Sequence, residues 1–399
     1  MRKRFLTALI ILAVGLSACA SGKTDNTQDR EEKINAIQSV IEEQMASMEA
    51  GNEADTQAGY MEEGKNVNSD AASIEKYDDR EKGTDAAAKE ECSEPEEQFT
   101  FDIYAVPQLY EDVMGEKIMT AYHNMMNAVM QGKREFECDE EFCGWMLYQC
   151  VRPLCPILDK YLDYGASGYE NGAGHIVLKI SDEEFQKEVR EFGELVTNTI
   201  REAIPENYGE YSEFEKNLAL KLYFSERDRF TYDYYLTTDE GRPLVSVIRV
   251  LKEKKGICDD FAMTYAYLLT QMGVDAGTIV GDHIDGSAHK WCIVRLNGKC
   301  YLMDPTIELN LENSLGMFML PDRLYTNVYP KKHWVYLNYY TVNYGDKPMD
   351  MSAYACNDDS FEPLWNLLVE KFDVKTNTIY CEDHTTYDYT EIETKTYSE

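Results

Sequence analysis

Cys258 carries the strongest chemical signal in the chain. It follows Gly256-Ile257 and opens a run in which Phe261, Ala262, Tyr265, Leu268, Leu269 and Met272 recur at helical spacing. A thiol in the first turn of a helix lies among backbone N–H groups that lack intrahelical acceptors. It also sits at the positive end of the helix dipole, and both favour the thiolate. Gly256 lets the chain turn tightly into this helix, and Gly273 suits its C-terminal end. Asp259 and Asp260 act the other way. Adjacent anions raise a thiol pKa unless their side chains serve the helix N-terminus or face solvent. The competing reading is a buried cysteine that merely starts a core helix.

A thiol nucleophile needs a base, and the base needs a group that orients it. The histidines are His123, His175, His283, His289, His333 and His384. Asn297-Gly298 marks a two-residue hairpin turn between a strand that starts at His289 and one that ends at Asp304. With that turn Leu296 faces Lys299, Arg295 faces Cys300, Cys292 faces Met303 and Trp291 faces Asp304. His289 is two residues from Trp291, so it shares a face with Asp304 and lies diagonal to it. Diagonal neighbours have Cα atoms about 7–8 Å apart, within reach of long side chains. His283, in a Gly/Asp-rich loop, has no such partner and ranks second. Cys292 and Cys300 read as packing residues.

The segments Gly256-Ile-Cys258-Asp-Asp-Phe261-Ala262, His289-Lys-Trp291 and Tyr301-Leu-Met-Asp304-Pro-Thr306 together resemble the transglutaminase-like superfamily. Phe230-Thr-Tyr232-Asp233 also resembles the segment that precedes the cysteine in bacterial members. The likeness covers about 212–345, with the motifs in order at spacings of 31 and 15 residues. It implies a papain-like core with Cys258 as nucleophile, His289 as general base and Asp304 orienting the imidazole. A papain or cathepsin spacing does not fit. Many members carry a small residue between the His and the Trp; here it is Lys290, which strand alternation turns away from the site. The backbone N–H of Cys258 is one candidate oxyanion donor, and no second donor is identified.

The elements around these motifs divide the chain. Residues 1–19 carry Arg2, Lys3 and Arg4, a short apolar run and Leu16-Ser-Ala-Cys19, which resembles a bacterial lipobox. That likeness implies a signal peptide and lipidation of Cys19. Residues 20–98 contain 22 acidic and 8 basic residues and neither Phe nor Trp, the composition of an acidic disordered tether. Within it Ile34, Ile37, Ile41, Met45 and Met48 have the spacing of a short amphipathic helix. Residues 99–205 read as an α+β accessory domain. It holds a helix from Pro107 to about Met130, a strand at His175–Ile180, and a helix opened by Ser181 and Glu184 and closed by Pro205. For residues 206–384 the resemblance implies an α+β transglutaminase-like domain, a cysteine-bearing helix packed on an antiparallel sheet. Ser212 with Glu215 opens a helix there, another runs over about 244–253, and 276–281 is a strand. Residues 385–399 read as a frayed tail.

Composition limits the function. Of 399 residues, 73 are acidic and 39 basic, a net charge of −34. Phosphate-backbone binding needs a basic face, so no nucleic-acid partner is expected. A hydrophobic fraction of 44% supports a sizeable core. Of 11 cysteines, Cys138, Cys143, Cys150 and Cys155 are spaced by five, seven and five residues, with aromatics between, and read as core rather than zinc ligands. Cys92 lies in the tether. No calcium loop or nucleotide fingerprint occurs, so no cofactor is expected. The expected protein is lipid-anchored to the outer face of the bacterial cytoplasmic membrane through Cys19. There it would act on protein or peptide substrates, cell-wall peptides among them, by acyl transfer or amide hydrolysis. The alternative is a non-catalytic binding or assembly module on the same fold.

Overall fold

The computed structural model describes residues 98–233, 246–282, 288–325, 331–333 and 354–392. The signal segment with Cys19, the acidic tether and His283 lie outside the described residues.

The chain opens with α1 (Gln108–Met114) and α2 (Glu116–Met130). The sequence predicts one helix here. Gly115, at φ 78°, breaks it in two by taking a left-handed conformation that costs a side-chain-bearing residue more. Then come β1 (Glu135–Phe136), α3 (Glu140–Gln149), α4 (Val151–Leu154), α5 (Pro156–Tyr161), β2 (Gly168–Glu170) and β3 (Ala173–His175). The strand expected at 175–180 is therefore displaced; β3 ends where that stretch begins, and only Leu178 bridges, to Leu162. Long α6 (Asp182–Ala203) starts at Ser181, whose Oγ accepts the Glu184 N–H. Its stripe Phe185, Val189, Phe192, Val196 and Ile200 is buried, as its spacing predicts. Cys143, Cys150 and Cys155 are buried in the core, and Cys138 hydrogen-bonds Cys143. Among the described residues no group of three or more His, Cys, Asp or Glu could hold a metal.

The second half starts with α7 (Glu213–Ser225), which carries the complete Ser212–Glu215 capping box. It continues through β4 (Thr231–Tyr232), α8 (Val247–Glu253), β5 (Lys255–Gly256), α9 (Cys258–Gln271), β6 (Asp275–Asp282), β7 (Ala288–Leu296) and β8 (Lys299–Met303). A short turn α10 (Pro305–Glu308), α11 (Asp322–Tyr325), β9 (Lys331–His333) and the hairpin set β10 (Val369–Asp373), β11 (Thr378–Cys381) and β12 (Thr386–Asp388) complete the described chain. Four strands form an antiparallel sheet in the order β8-β7-β6-β9. Asn297 and Gly298 take φ of 45° and 74°, the paired positive values of a type I′ turn. That turn sets the register Leu296↔Lys299, Arg295↔Cys300 and Cys292↔Met303.

Helix α9 lies on β6 and β7. Its predicted face is buried, but so are Met263, Ala266 and Tyr267 on the other side. A helix apolar all round is one covered all round. The second cover comes from Ala105, Pro107, Tyr110, Pro153 and Leu154, which meet Met263, Ala266 and Tyr267 across a narrow apolar seam. The supposed tail also packs. Tyr389 is fully buried, and its hydroxyl donates to Glu215 Oε1 at 2.5 Å.

Candidate active site

Cys258 is the first residue of α9 and is partly exposed. Three devices hold the helix start. Asp260 is fully buried; its Oδ2 accepts the Ile257 N–H at 2.9 Å, and its Oδ1 accepts the Ser246 N–H. Burial pushes the Asp260 carboxyl up to about 6, against those two N–H donors, which lower it. Gly256 is needed for room rather than for a turn. A Cβ there would sit 2.6 Å from Asp260 Cβ and 3.1 Å from Val250 Cγ2. Asp259 does not reach solvent freely either. Arg152 Nη2 lies 2.8 Å from its Oδ2, and Lys290 Nζ contacts its Oδ1.

Asp304 is fully buried and caps α10. Its Oδ1 accepts the N–H groups of Thr306 (3.1 Å) and Ile307 (3.2 Å). Its Oδ2 lies 2.8 Å from His289 Nε2. The sequence Asp304-Pro305-Thr306 carries the signal for this second role, an N-cap aspartate with proline at the first helical position. The ring of His289 runs nearly parallel to the buried Trp291 indole, 5.9 Å between centroids at 22°. Nε2 is taken by Asp304, and the thiol of Cys258 hydrogen-bonds the same ring, which leaves Nδ1 for the sulfur. Hairpin register, a helix start and a cap thus bring Cys258, His289 and Asp304 into one chain of contacts.

The electrostatics follow from that geometry. Burial alone raises the Cys258 thiol pKa, but the His289 hydrogen bond and charge, with the Lys290 backbone N–H, outweigh it and bring the thiol below its ordinary value. Burial lowers the His289 imidazole, yet Asp304 and Cys258 dominate and hold it at about 10. An imidazole held near 10 is charged at neutral pH, and its charge favours ionisation of the neighbouring thiol.

Two features escape a reading by spacing. Lys290 leaves the strand on the face opposite His289, yet it is buried and its long stem reaches Asp259. Behind Asp304, Lys221 of α7 and Glu308 of α10 form a fully buried ion pair at 3.1 Å. Burial raises Glu308 to about 7, which the Lys221 charge limits. The available signal for Lys221 was a lysine three residues after Leu218 and seven after Phe214, on the apolar stripe of its helix.

Comparison with known proteins adds a family match and a weak structural likeness. No curated protein matches the chain. A solved structure described as the crystal structure of a TGase is 19% identical over 35% of this chain, with a TM-score of 0.23. The chain covers 43% of that structure, less than half its length. Residues 196–313 match the family model described as a transglutaminase-like domain. Cys258, His289 and Asp304 all fall inside that matched segment, which is thus similar to a transglutaminase-like domain.

Proposed function

We propose that the protein is a surface-anchored thiol enzyme that passes an acyl group from an amide through a thioester on Cys258. The observation that carries this reading is the sulfur–imidazole–carboxylate relay at the start of α9. The thiolate attacks the carbonyl carbon of a glutamine side chain or peptide bond. Its oxyanion is met by the Cys258 N–H, a helix N-terminal donor without an intrahelical acceptor. The imidazolium gives its proton to the departing nitrogen as the C–N bond breaks, leaving the thioester. His289 then takes a proton from an amine or water as that nucleophile attacks, and the C–S bond breaks. Asp304 fixes the ring and stabilises its charged form.

The lipobox-like Leu16–Cys19 segment supports an anchor on the outer face of the bacterial cytoplasmic membrane, and with it protein or cell-wall peptide substrates. Cys19→Ser is expected to move the chain from the membrane fraction to the soluble one; unchanged retention refutes the anchor.

Turnover is tested by incubating the protein with glutamine-containing and cell-wall peptides, then adding hydroxylamine. The expected result is an acyl adduct on Cys258 by intact mass, its release as a hydroxamate, and neither event in Cys258→Ala. No adduct with any peptide favours the non-catalytic binding module.

A further inference from the structure

Asp259 poses a physical problem for a thiolate next door. It carries no catalytic contact, it is the residue following Cys258, and its negative charge opposes ionisation of the thiol. Two cations converge on it from opposite sides. Lys290, on β7, is buried and contacts Oδ1; Arg152, on α4 of the first half of the chain, meets Oδ2 at 2.8 Å. Lys290 also directs its backbone N–H at the Cys258 sulfur. Arg152 is the one member of the set that comes from outside the helix–hairpin unit carrying Cys258, His289 and Asp304.

We propose that Arg152 is a positioning residue for the nucleophile: by neutralising Asp259 it lets residues 99–205 set the ionisation of Cys258. This rests on the reading of Cys258 as a nucleophile. Among the described residues, the other charged groups near this cluster include His289, Asp304, Asp260, Asp159 and Lys179. His289 and Asp304 lie on the sulfur's other side. Asp260 is turned back onto Ile257 and Ser246. Asp159, which accepts the Tyr164 hydroxyl at 2.6 Å, interacts with both Arg152 and Asp259. Counting only Asp259, Arg152 and Lys290, the wild type has one surplus positive charge. Arg152→Gln leaves none, Asp259→Asn leaves two, and the double variant returns to one.

The test is the pH profile of Cys258 alkylation by iodoacetamide on the full chain, with other thiols followed by peptide mapping. Arg152→Gln should slow neutral-pH alkylation on the order of threefold and shift the profile upward, as expected for one screened charge several ångströms away. Asp259→Asn should speed it and shift the profile down. Arg152→Gln/Asp259→Asn should return close to wild type, and Arg152→Lys should stay there. If Arg152 only docks the first half of the chain, Arg152→Gln lowers the melting temperature and leaves the profile in place, which overturns the proposal. Should Arg152→Gln fail to fold, an unmoved profile in Asp259→Asn does the same. An ordinary, unshifted thiol profile in the wild type overturns the nucleophile reading itself; a low wild-type profile indifferent to both residues overturns this proposal alone.

Discussion

Asp304 divides its work between its two oxygens, and that division decides how it should be mutated. Oδ1 closes the turn of α10 and Oδ2 holds His289. A change to alanine therefore removes a helix cap as well as a catalytic partner, at a cost of about 0.5–2 kcal/mol. Asparagine caps as well as aspartate. It would offer an N–H to Nε2, however, and carry no charge to support an imidazolium. Asp304→Asn is expected to keep the melting temperature close to wild type and to slow neutral-pH alkylation of Cys258. His289→Ala should slow it further. With the imidazolium gone, burial, the largest influence, and the Asp259 charge both raise the thiol pKa, and the Lys290 N–H acts against them. The alkylation midpoint should then rise above the wild-type value, which lies below that of an ordinary cysteine. Because the imidazole stays protonated up to about 10, the charge that lowers the thiol should persist from neutral pH into the mildly alkaline range. A midpoint unchanged by His289→Ala would remove His289 from its role.

At the scale of elements, α10 is only four residues long, yet it fixes the carboxylate that orients the imidazole. Its C-terminal residue, Glu308, is tied to α7 by Lys221, whose Nζ also donates to Ser225 Oγ (3.1 Å) and the Leu311 carbonyl (3.2 Å). Both charges are fully buried, so removing one strands the other. Lys221→Met should cost about 3–5 kcal/mol in urea unfolding, whereas Lys221→Met/Glu308→Leu should recover most of it, because a buried pair exchanged for apolar groups is close to neutral. Equal losses in the single and double variants would mean that packing, not charge, is at stake. Elements also show what a sequence makes legible. The Asn297-Gly298 turn and the period of two fix the β7–β8 register, and so the juxtaposition of His289 with Asp304. The helical period and the two serine caps locate α6, α7 and α9. Ion pairs such as Arg152–Asp259 and Lys221–Glu308 join residues 107 and 87 apart and leave no local period to detect. The strand expected after His175 failed for a related reason. Past His175 the stretch pairs only through an isolated bridge from Leu178 to Leu162, with flanking backbone bonds to Tyr161 and Asp163, and of its residues Ile176 alone is buried.

For the whole molecule the governing fact is that α9 has two covers. The sheet takes one side; Tyr110, Pro153 and Leu154 from the first half of the chain take the other, and the Phe192 ring of α6 lies 5.7 Å from that of Tyr267, tilted by 39°. Polar ties cross the same boundary. The Asp102 N–H and carbonyl both bond the Gln271 side-chain amide, at 3.1 and 2.7 Å. Asp275 Oδ1 accepts the Leu109 N–H, and Arg295 bridges Asp275 and Asp112. Cutting after residue 205 would uncover Met263, Tyr267 and their neighbours, strip Gln271 of Asp102 and deprive Asp275 of the Leu109 N–H. Each large apolar side chain returned to water costs about 1.5–3 kcal/mol, and a domain of ordinary stability has only about 5–15 kcal/mol in all. Three or four such losses, with the lost polar ties, consume most of that. A fragment of residues 206–399 is therefore expected to be insoluble or to lack a cooperative unfolding transition. A chain beginning at Gln98 keeps every one of these contacts and should melt at the temperature of the longer protein. Calorimetry on the two fragments checks this. A cooperative transition in the shorter one, with Cys258 still rapidly alkylated, would show that the sheet and α9 suffice by themselves and that the second cover contributes little to holding the nucleophile.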